Sequence, residues 1–335
     1  MFRLKSYYEA IEGSILGSVV GDALGVPGEF MEREELQMNP ITDMIGGGAH
    51  NQLPGTWSDD SSMTLCTVDS IIEKGVDFED QMYRFADWLW SASNTARDEV
   101  FDVGGATKHA IFRYMKKTPA LECGELAENT CGNGSLMRIM PTALYLLGQY
   151  ECRDLDDEIA EIIHNTSKCT HAHLRCQMAC GVFCSVVFSL SCCGHLYNAV
   201  VGGIASALKY YREKPEFAGV YDDFTNLLDI GKWSEDQVHS TGYVLHTLQA
   251  ALWCLLTTSG YVECVLKAVN LGRDTDTTAA VAGALAGFWY GEKEIPVKWA
   301  ETTAKYDEIK QKMKPFYYAC REGIQASRPQ DEYYP

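Results

Sequence analysis

Two pairs of acidic residues stand in front of small, apolar segments of this sequence. Asp59 and Asp60 lie in GTWSDDSSMTL, and Asp274 and Asp276 lie about 215 residues later in GRDTDTTAAVAG. Acids in apolar surroundings are costly unless they are paired, and two carboxylates about 4 Å apart repel by roughly 4 kcal/mol at an effective dielectric constant of about 20. If these four carboxylates lie close together in the fold, cations must neutralise their charge. Carboxylate and hydroxyl oxygens favour Mg²⁺, Mn²⁺ or Ca²⁺ over zinc, and two ions roughly 3.5–4 Å apart would satisfy such a cluster.

The same acids also have a purely structural interpretation. Ser58 is a good helix N-cap, and Asp59 and Asp60 in the first turn would stabilise the positive end of the helix dipole. Asp274 can cap a second helix, with Asp276 in its first turn. The spacing does not show that the two segments meet in space, so four independent helix-stabilising acids and one shared metal site both stay open.

The helical period dominates the rest of the chain and predicts an all-α fold. It is visible in QMYRFADWLW, ELAENTCGNGSLMRIMPTALYLLG, DLDDEIAEIIHNT, LRCQMACGVFCSVVFSL, AVVGGIASALKYYRE and VLHTLQAALWCLL. Strict alternation over six or more residues is rare, and only 10 prolines interrupt the chain. The predicted loops are 31–57, 91–105, 129–135 and 212–240. None of them is long or polar enough for an interdomain linker, so we predict a single domain over residues 1–335.

One predicted helix, within GSILGSVVGDALG, carries a stripe of glycines four residues apart: Gly13, Gly17, Gly21 and Gly25. Glycine costs roughly 1 kcal/mol in a helix interior, so the stripe predicts close approach of another helix. A second stripe follows the second acid pair and consists of Ala279, Gly283 and Gly287. Asp22 and the short apolar span argue against a membrane dimerisation motif.

Charge and cysteine content restrict the partners and the compartment. The net charge is -18 at pH 7, and such an acidic surface repels phosphate backbones, which disfavours a nucleic-acid partner. It does not exclude a small phosphorylated ligand in a local pocket. The 13 cysteines are odd in number and several lie in apolar stretches, which favours reduced thiols and a cytoplasmic location. No signal-peptide pattern or uninterrupted apolar run of roughly 20 residues is seen, so we expect no membrane partner.

Four motifs in order closely resemble the ADP-ribosylglycohydrolase family, which includes bacterial dinitrogenase reductase-activating glycohydrolases. They are GSILGSVVGDALGVPGEF, GTWSDDSSMTL, GNGSLMRIMPTAL and NLGRDTDTTAAVAGALAG. The resemblance covers about residues 10–292 and leaves 293–335 as a C-terminal helical extension. It implies an all-α fold with a binuclear Mg²⁺ or Mn²⁺ centre in a cleft. It also implies hydrolysis of the bond between ADP-ribose and a modified group, often arginine or serine on a protein.

The resemblance also implies roles for acidic and hydroxyl side chains. The implied metal ligands are Ser58, Asp59, Asp60, Asp274, Asp276 and Thr277. Serine stands at Ser58 where the family usually has threonine, and it keeps the hydroxyl. Glu29 in GEF aligns with a family glutamate near the metals, and Asp102 in DVGGAT aligns with an acid that faces the substrate. We expect Glu29 and Asp102 to provide the general acid and general base, without dividing the two roles.

The implied substrate contacts lie in three further segments. The GNGSLMR segment matches a loop that wraps the ribose and diphosphate, through Gly132, Asn133, Gly134, Ser135 and Met137. Glycines let backbone N–H groups approach an anion, and we expect the following helix to offer its positive N-terminus. His171 in THAH would lie near the substrate and Tyr243 would contact the nucleotide, although each could instead be a core residue.

Two other functions stay open at this stage. The chain could hydrolyse free ADP-ribose derivatives or nucleotides instead of a modified protein. It could also be a non-catalytic ADP-ribose-binding relative, although the intact acid set argues against that function.

Overall fold

The computed structural model describes residues 7–151 and 154–322, and within them the chain is helical with isolated β-bridges and no β-strand. The all-α prediction is confirmed. The α-helices are α1 (Tyr7–Gly25), α2 (Arg33–Met38), α3 (Asp59–Lys74), α4 (Phe78–Ser91), α5 (Gly105–Met115), α6 (Met140–Tyr150), α7 (Asp157–Lys168), α8 (Leu174–Cys192), α9 (Leu196–Arg212), α10 (Val244–Leu256), α11 (Tyr261–Val269), α12 (Thr275–Tyr290), α13 (Val297–Thr302) and α14 (Tyr306–Glu322). Short 3₁₀ helices span Val26–Gly28, Ala120–Glu122, Glu128–Thr130, Pro215–Phe217, Tyr221–Lys232, Glu235–Gln237 and Glu292–Glu294.

The two small-residue stripes pack against each other and hold α1 and α12 in backbone contact. Ideal β-carbons at Gly13, Gly17 and Gly21 would lie 2.2, 2.6 and 2.2 Å from the carbonyl oxygens of Gly287, Gly283 and Ala279, respectively. This order makes the helices antiparallel. The predicted close approach of another helix is therefore confirmed, and any side chain at these positions would force the helices apart.

This contact fixes the place where the acidic segments meet. At the C-terminal end of α1, a β-carbon on Gly25 would lie 2.3 Å from the Cα of Asp276, in the first turn of α12. Asp22 lies one turn earlier on α1, and both of its carboxylate oxygens accept from the backbone N–H of Ser58, at 2.9 and 3.0 Å. Ser58 is the N-cap of α3. Three helix ends thus converge on one point.

The C-terminal helix α14 packs against α1, α3 and α6. Lys312 pairs with Asp69 of α3 at 2.7 Å, and the side chain of Gln149 donates to the carbonyl of Cys320 at 2.7 Å. The predicted C-terminal extension, as far as residue 322, is therefore integrated into the helical core. Residues 323–335 lie outside the described part of the chain.

Helix α8 is a core helix that packs against α7, α9 and α10. Among the described residues it alone is long and apolar enough to cross a membrane by length and composition. Since 89% of its apolar window is buried inside the protein, its hydrophobicity is accounted for by core packing.

The segment ELAENTCGNGSLMRIMPTALYLLG differs from its predicted helical pattern. Within this segment the α-helix is confined to the residues from Met140 onward, where α6 begins. Pro141 lies in the first turn of α6, a position that proline favours. The residues before it form bends and turns. The predicted helix N-terminus directly after the GNGS sequence is therefore wrong, since α6 begins five residues beyond Ser135.

Gly21→Ala is expected to lower the free energy of unfolding by at least about 2 kcal/mol, because its methyl group would collide with the Ala279 carbonyl. Urea denaturation measures the change. The matched control is Gly202→Ala in α9, where the new β-carbon would lie an ordinary 3.5 Å from Ser189 Oγ. That variant should be neutral or stabilised by up to about 1 kcal/mol. Equal effects of the two substitutions would contradict the tight helix contact.

Candidate active site

The two acid pairs meet at one buried carboxylate cluster. One oxygen each of Asp22 from α1, Asp60 from α3 and Asp276 from α12 lie within 4.8 Å of one another, and all three residues are buried. In addition, the Thr277 hydroxyl donates to Asp60 Oδ2 at 3.2 Å, across the two sequence segments. The segments that stand 215 residues apart in the sequence are thus in direct contact.

The cluster carries buried oxygens that no protein donor satisfies. Asp60 Oδ1 and Asp276 Oδ2 have no hydrogen-bond partner, and among the described residues no lysine, arginine or histidine nitrogen lies within 4.0 Å of these carboxylates. Burial raises the pKa of Asp60 and of Asp276 well above the usual range, and neighbouring carboxylates raise both further. Unpaired buried oxygens with hydroxyl neighbours fit hard divalent cations.

Asp59 and Asp274 extend this cluster toward solvent. Both line the main cleft of the protein, together with Thr277. The pKa of Asp59 is raised by burial first and by the charge of Asp102 next. Asp274 Oδ2 accepts from the side-chain amide of Asn133 at 2.8 Å, so a residue of the GNGS loop fixes its orientation. Of this cluster, the carboxylates of Asp59 and Asp274 therefore face the cleft, and those of Asp22, Asp60 and Asp276 lie behind them.

Ser58 lies at the junction of the deep carboxylates. Its hydroxyl donates to Asp60 Oδ2 at 3.1 Å and also accepts from the Asp60 backbone N–H at 3.3 Å. The predicted N-cap is confirmed, and the role of Ser58 as a metal ligand stays a prediction.

Asp22 is a site residue that the sequence analysis missed. Besides the Ser58 backbone N–H, it accepts from the backbone N–H of Ser61 at 3.0 Å and from the Ser61 hydroxyl at 2.5 Å. Asp22, which lies on α1, thus accepts hydrogen bonds from N–H groups at the start of α3 that have no partner within α3. Burial nevertheless outweighs these bonds and raises its pKa to about 6. The available signal was the one acid within the small and apolar stretch GSILGSVVGDALG.

The cleft beside these acids has a volume of about 820 Å³. Most of its wall comes from loops between helices and from the first turn of α5. The predicted residues that line it are Glu29, Asp59, Asp102, Gly132, Asn133, Gly134, Met137, His171, Asp274 and Thr277. Carboxylates thus concentrate at one part of the wall, and the glycine-rich loop and His171 form another.

Ser135 and Tyr243 are not part of that wall. Ser135 is fully buried, and its hydroxyl accepts from Ser167 at 2.9 Å, so its side chain supports the loop from behind. Tyr243 is half-buried next to Gly242, which does line the cleft, and its ring packs at 5.0 Å from the His246 ring. For these two residues the sequence pattern located a segment next to the cleft, and their contact with a substrate stays a prediction.

The glycine-rich loop and His171 are packed too closely for larger residues. A β-carbon on Gly134 would lie 2.7 Å from His171 Cε1. The backbone N–H groups of Gly132 and Asn133 already donate to protein carbonyls, at 2.8 and 3.1 Å. An anion-binding role therefore falls to the N–H groups of Gly134 and Ser135, which have no partner among the described residues.

His171 faces this loop as a neutral ring. Burial lowers its pKa to about 3, and its Nδ1 forms a 2.9 Å hydrogen bond with the Thr170 hydroxyl. Its Nε2 lies toward Gly132 and Gly134 at the cleft wall. The ring is therefore available to a ligand as a neutral hydrogen-bonding group.

Glu29 and Asp102 are joined by a histidine that the sequence analysis also missed. His50 Nε2 lies 2.5 Å from Glu29 Oε2 and 3.8 Å from Asp102 Oδ1. Its ring packs near those of Phe30 and Phe101, with centroids 5.8 and 5.1 Å away. Burial, followed by the charge of Asp102, raises the pKa of Glu29 to about 9. Asp102 adopts a left-handed φ of 54°, which is uncommon for a residue other than glycine.

Comparison with known proteins agrees with this geometry. The chain matches the family model for ADP-ribosylglycohydrolase over residues 3–326. It belongs to the ADP-ribosylglycohydrolase family. The match extends beyond the resemblance at residues 10–292, which agrees with the integration of α14 into the core.

Several relatives of this chain have named activities. The ADP-ribosylarginine hydrolase Tri1 of Serratia proteamaculans is 29% identical over 317 residues, covering 93% of this chain and 80% of that protein. The ADP-ribosyl-[dinitrogen reductase] glycohydrolase of Rhodospirillum rubrum is 31% identical over 298 residues, covering 88% and 90%. A solved structure titled "ADP-ribosylglycohydrolase-related protein complex" has a TM-score of 0.74 and 28% identity, covering 95% of this chain and 100% of that one. These relatives support an ADP-ribosyl glycohydrolase activity.

Asp276→Asn is expected to raise the thermal unfolding midpoint of the metal-free protein and to remove the stabilisation that Mg²⁺ or Mn²⁺ gives. Asparagine keeps the Oδ1 that accepts from the Thr277 N–H at 2.9 Å, and it removes one buried charge. An ion at a hundred times its Kd stabilises a folded protein by about 2.7 kcal/mol. Scanning fluorimetry with EDTA and with each ion measures both effects. Asp87→Asn, on α4 outside the cluster, is the control, and an undiminished metal response in Asp276→Asn would refute the site.

His50→Phe is expected to lower kcat for ADP-ribose release by roughly 10- to 100-fold with little change in KM, because the hydrogen-bond partner of Glu29 is lost while a ring remains. His50→Gln should retain activity within about fivefold, since its side-chain amide can donate to or accept from Glu29. Steady-state kinetics distinguish the pair. If His50→Phe keeps the parent kcat, the hydrogen bond to Glu29 is not needed and the ring serves packing alone.

Proposed function

We propose that this chain removes ADP-ribose from modified arginine side chains of proteins, with two Mg²⁺ or Mn²⁺ ions as cofactors. The observation that carries this proposal is the cluster of buried carboxylates, with oxygens that no protein donor satisfies, directly behind Asp59 and Asp274 at the wall of a cleft of about 820 Å³. The printed names of two relatives, an ADP-ribosylarginine hydrolase and an ADP-ribosyl-[dinitrogen reductase] glycohydrolase, support the substrate class.

The residues that would hold the ions are the six implied by the sequence, Ser58, Asp59, Asp60, Asp274, Asp276 and Thr277, with Asp22 as a seventh candidate. The unpartnered oxygens of Asp60 and Asp276 support this donor set. Bound divalent ions would neutralise the carboxylates, orient ribose hydroxyls and make a water easier to deprotonate. Asn133 would keep Asp274 in place as the ligand binds, through its 2.8 Å hydrogen bond.

The reaction adds a water oxygen to C1″ of the ribose and breaks the bond from C1″ to the guanidine nitrogen, which takes up a proton. Breaking this bond develops positive charge on the sugar ring, as in other glycoside hydrolyses. Asp59 and Asp274 line the cleft as carboxylates suited to stabilise that charge. Glu29 and Asp102 are the groups for proton transfer, and His50 holds both at the same wall.

The acidic wall favours arginine over serine as the modified residue. The guanidinium group of a modified arginine is cationic, whereas a serine ether is neutral. Asp102, which is 22% exposed, lines the cleft and can accept hydrogen bonds from such a cation. This charge match supports an arginine conjugate.

A cytoplasmic location is part of the same proposal. The 12 cysteines in the described part of the chain are all free thiols, and most of them are buried. Reduced cysteines in such numbers are typical of proteins of the cytoplasm.

Incubation with arginine-modified and serine-modified proteins, each with Mg²⁺, with Mn²⁺ or with EDTA, tests the function. We expect free ADP-ribose from the arginine conjugate only when an ion is present. Asp59→Ala should reduce the rate by roughly a thousandfold or more, while Asp87→Asn should not change it. Release only from free ADP-ribose derivatives, or from no substrate, would reject the proposal.

A further inference from the structure

Helix α5 and the residues that follow it form a positively charged segment on an otherwise acidic protein. The chain has a net charge of -18, yet residues 105–120, GATKHAIFRYMKKTPA, contain no acid and four lysines or arginines. Arg113 is used internally, since it pairs with Glu125 at 3.1 Å and donates to the Cys123 carbonyl at 2.6 Å. Lys108, Lys116 and Lys117 form no ion pair with the described residues and are all exposed. On a surface rich in carboxylates, three neighbouring lysines without an acidic partner are an unusual feature.

The lysines alternate with large apolar side chains on one side of the helix. Lys108, Phe112, Met115 and Lys116 have the three- and four-residue spacing that places side chains on one face. Phe112 is 42% exposed and Met115 is 43% exposed. Lys108 Nζ lies 5.9 Å from the centre of the Phe112 ring. We call these four residues together with Lys117 the α5 face.

The α5 face begins at the mouth of the cleft. Gly105, Ala106, Thr107 and His109, in the first turns of α5, line the cleft itself. The α-helix rises about 1.5 Å per residue, so the face extends roughly 12–15 Å away from the mouth. A substrate that is larger than the cleft would therefore have the α5 face within reach of its surface.

We propose that the α5 face docks an acidic surface patch of the ADP-ribosylated protein next to its modified residue. This inference rests on the proposed function and adds a recognition surface outside the cleft. Complementary charge mainly accelerates encounter and selects partners. Phe112 and Met115 supply the apolar contact typical of protein interfaces. The strongly negative remainder of the surface would repel a nucleic-acid backbone, so an acidic protein patch fits this face better.

The test compares three substrates modified on arginine: an acidic carrier protein, a basic carrier protein and free ADP-ribosylarginine. The variant combines Lys108→Glu, Lys116→Glu and Lys117→Glu. At low ionic strength we expect kcat/KM for the acidic carrier to fall roughly tenfold or more, mainly through KM. Free ADP-ribosylarginine should be hydrolysed within about twofold of the original rate, and the basic carrier should be cleaved equally well or better. Added salt should narrow the difference between variant and parent on the acidic carrier.

A matched control combines Lys74→Glu, Lys209→Glu and Lys314→Glu. These exposed lysines lie on α3, α9 and α14, outside the cleft wall, and their substitution gives the same change in net charge. We expect this control to behave like the parent on all three substrates. An equal loss on the acidic carrier in both triple variants would show a general charge effect and overturn the docking site.

Two further results separate the possible failures. If single-stranded DNA inhibits the parent through the three α5 lysines while carrier charge has no effect, the face binds nucleic acid and the proposal is wrong. If no substrate is hydrolysed, the proposed function fails. The docking proposal is then tested by measuring how tightly the acidic carrier binds to the immobilised parent protein and to the immobilised triple variant. Equal binding by the parent and the triple variant would reject it.

Discussion

The backbone contact between α1 and α12 is the constraint on which the rest of the structure depends. Glycine and alanine at the contact let the two helices approach until carbonyl oxygens occupy the space of missing side chains. That approach ends at Gly25 and Asp276, so it places the first turn of α12 beside the last turns of α1. Asp22 then reaches across to the start of α3. The carboxylate cluster is therefore a direct result of how closely two helices pack.

The cluster also shows how a fold can hold acids that repel one another. Asp59 and Asp60 lie in the first turn of α3, and Asp276 lies in the first turn of α12, where the free N–H groups and the helix dipole favour negative charge. Asp22 accepts from three donors at the start of α3: the backbone N–H groups of Ser58 and Ser61 and the Ser61 hydroxyl. These interactions offset only part of the burial cost, since the pKa of each carboxyl stays raised. Helix stabilisation and the proposed metal binding thus involve the same residues.

Much of this could be predicted from sequence, because both the fold and the acids leave local patterns. The glycine spacing predicted a close helix contact, and the motifs predicted the acid segments and half of the residues that line the cleft. Asp22 and His50 were missed because their roles arise from partners distant in sequence: Ser58 and Ser61 for Asp22, and Glu29 and Asp102 for His50.

The directions of side chains and the exact start of α6 could not be predicted, for physical reasons. A motif locates a segment, but the direction of each side chain depends on tertiary packing. Ser135 turns toward Ser167 in the interior, although its neighbours Asn133 and Gly134 line the cleft. The start of α6 was misplaced because the apolar residues of 136–139 are buried in turns, so their pattern resembles that of a buried helix.

The origin of the cleft wall has a consequence for how such an enzyme can diversify. The deep carboxylates belong to helices locked by backbone contact, whereas most of the wall comes from connecting segments, which tolerate insertion and exchange far better than helix interiors do. New specificities can therefore arise at the rim while the carboxylate cluster behind it is inherited unchanged. Such a division would let one ancestral scaffold serve many different conjugates.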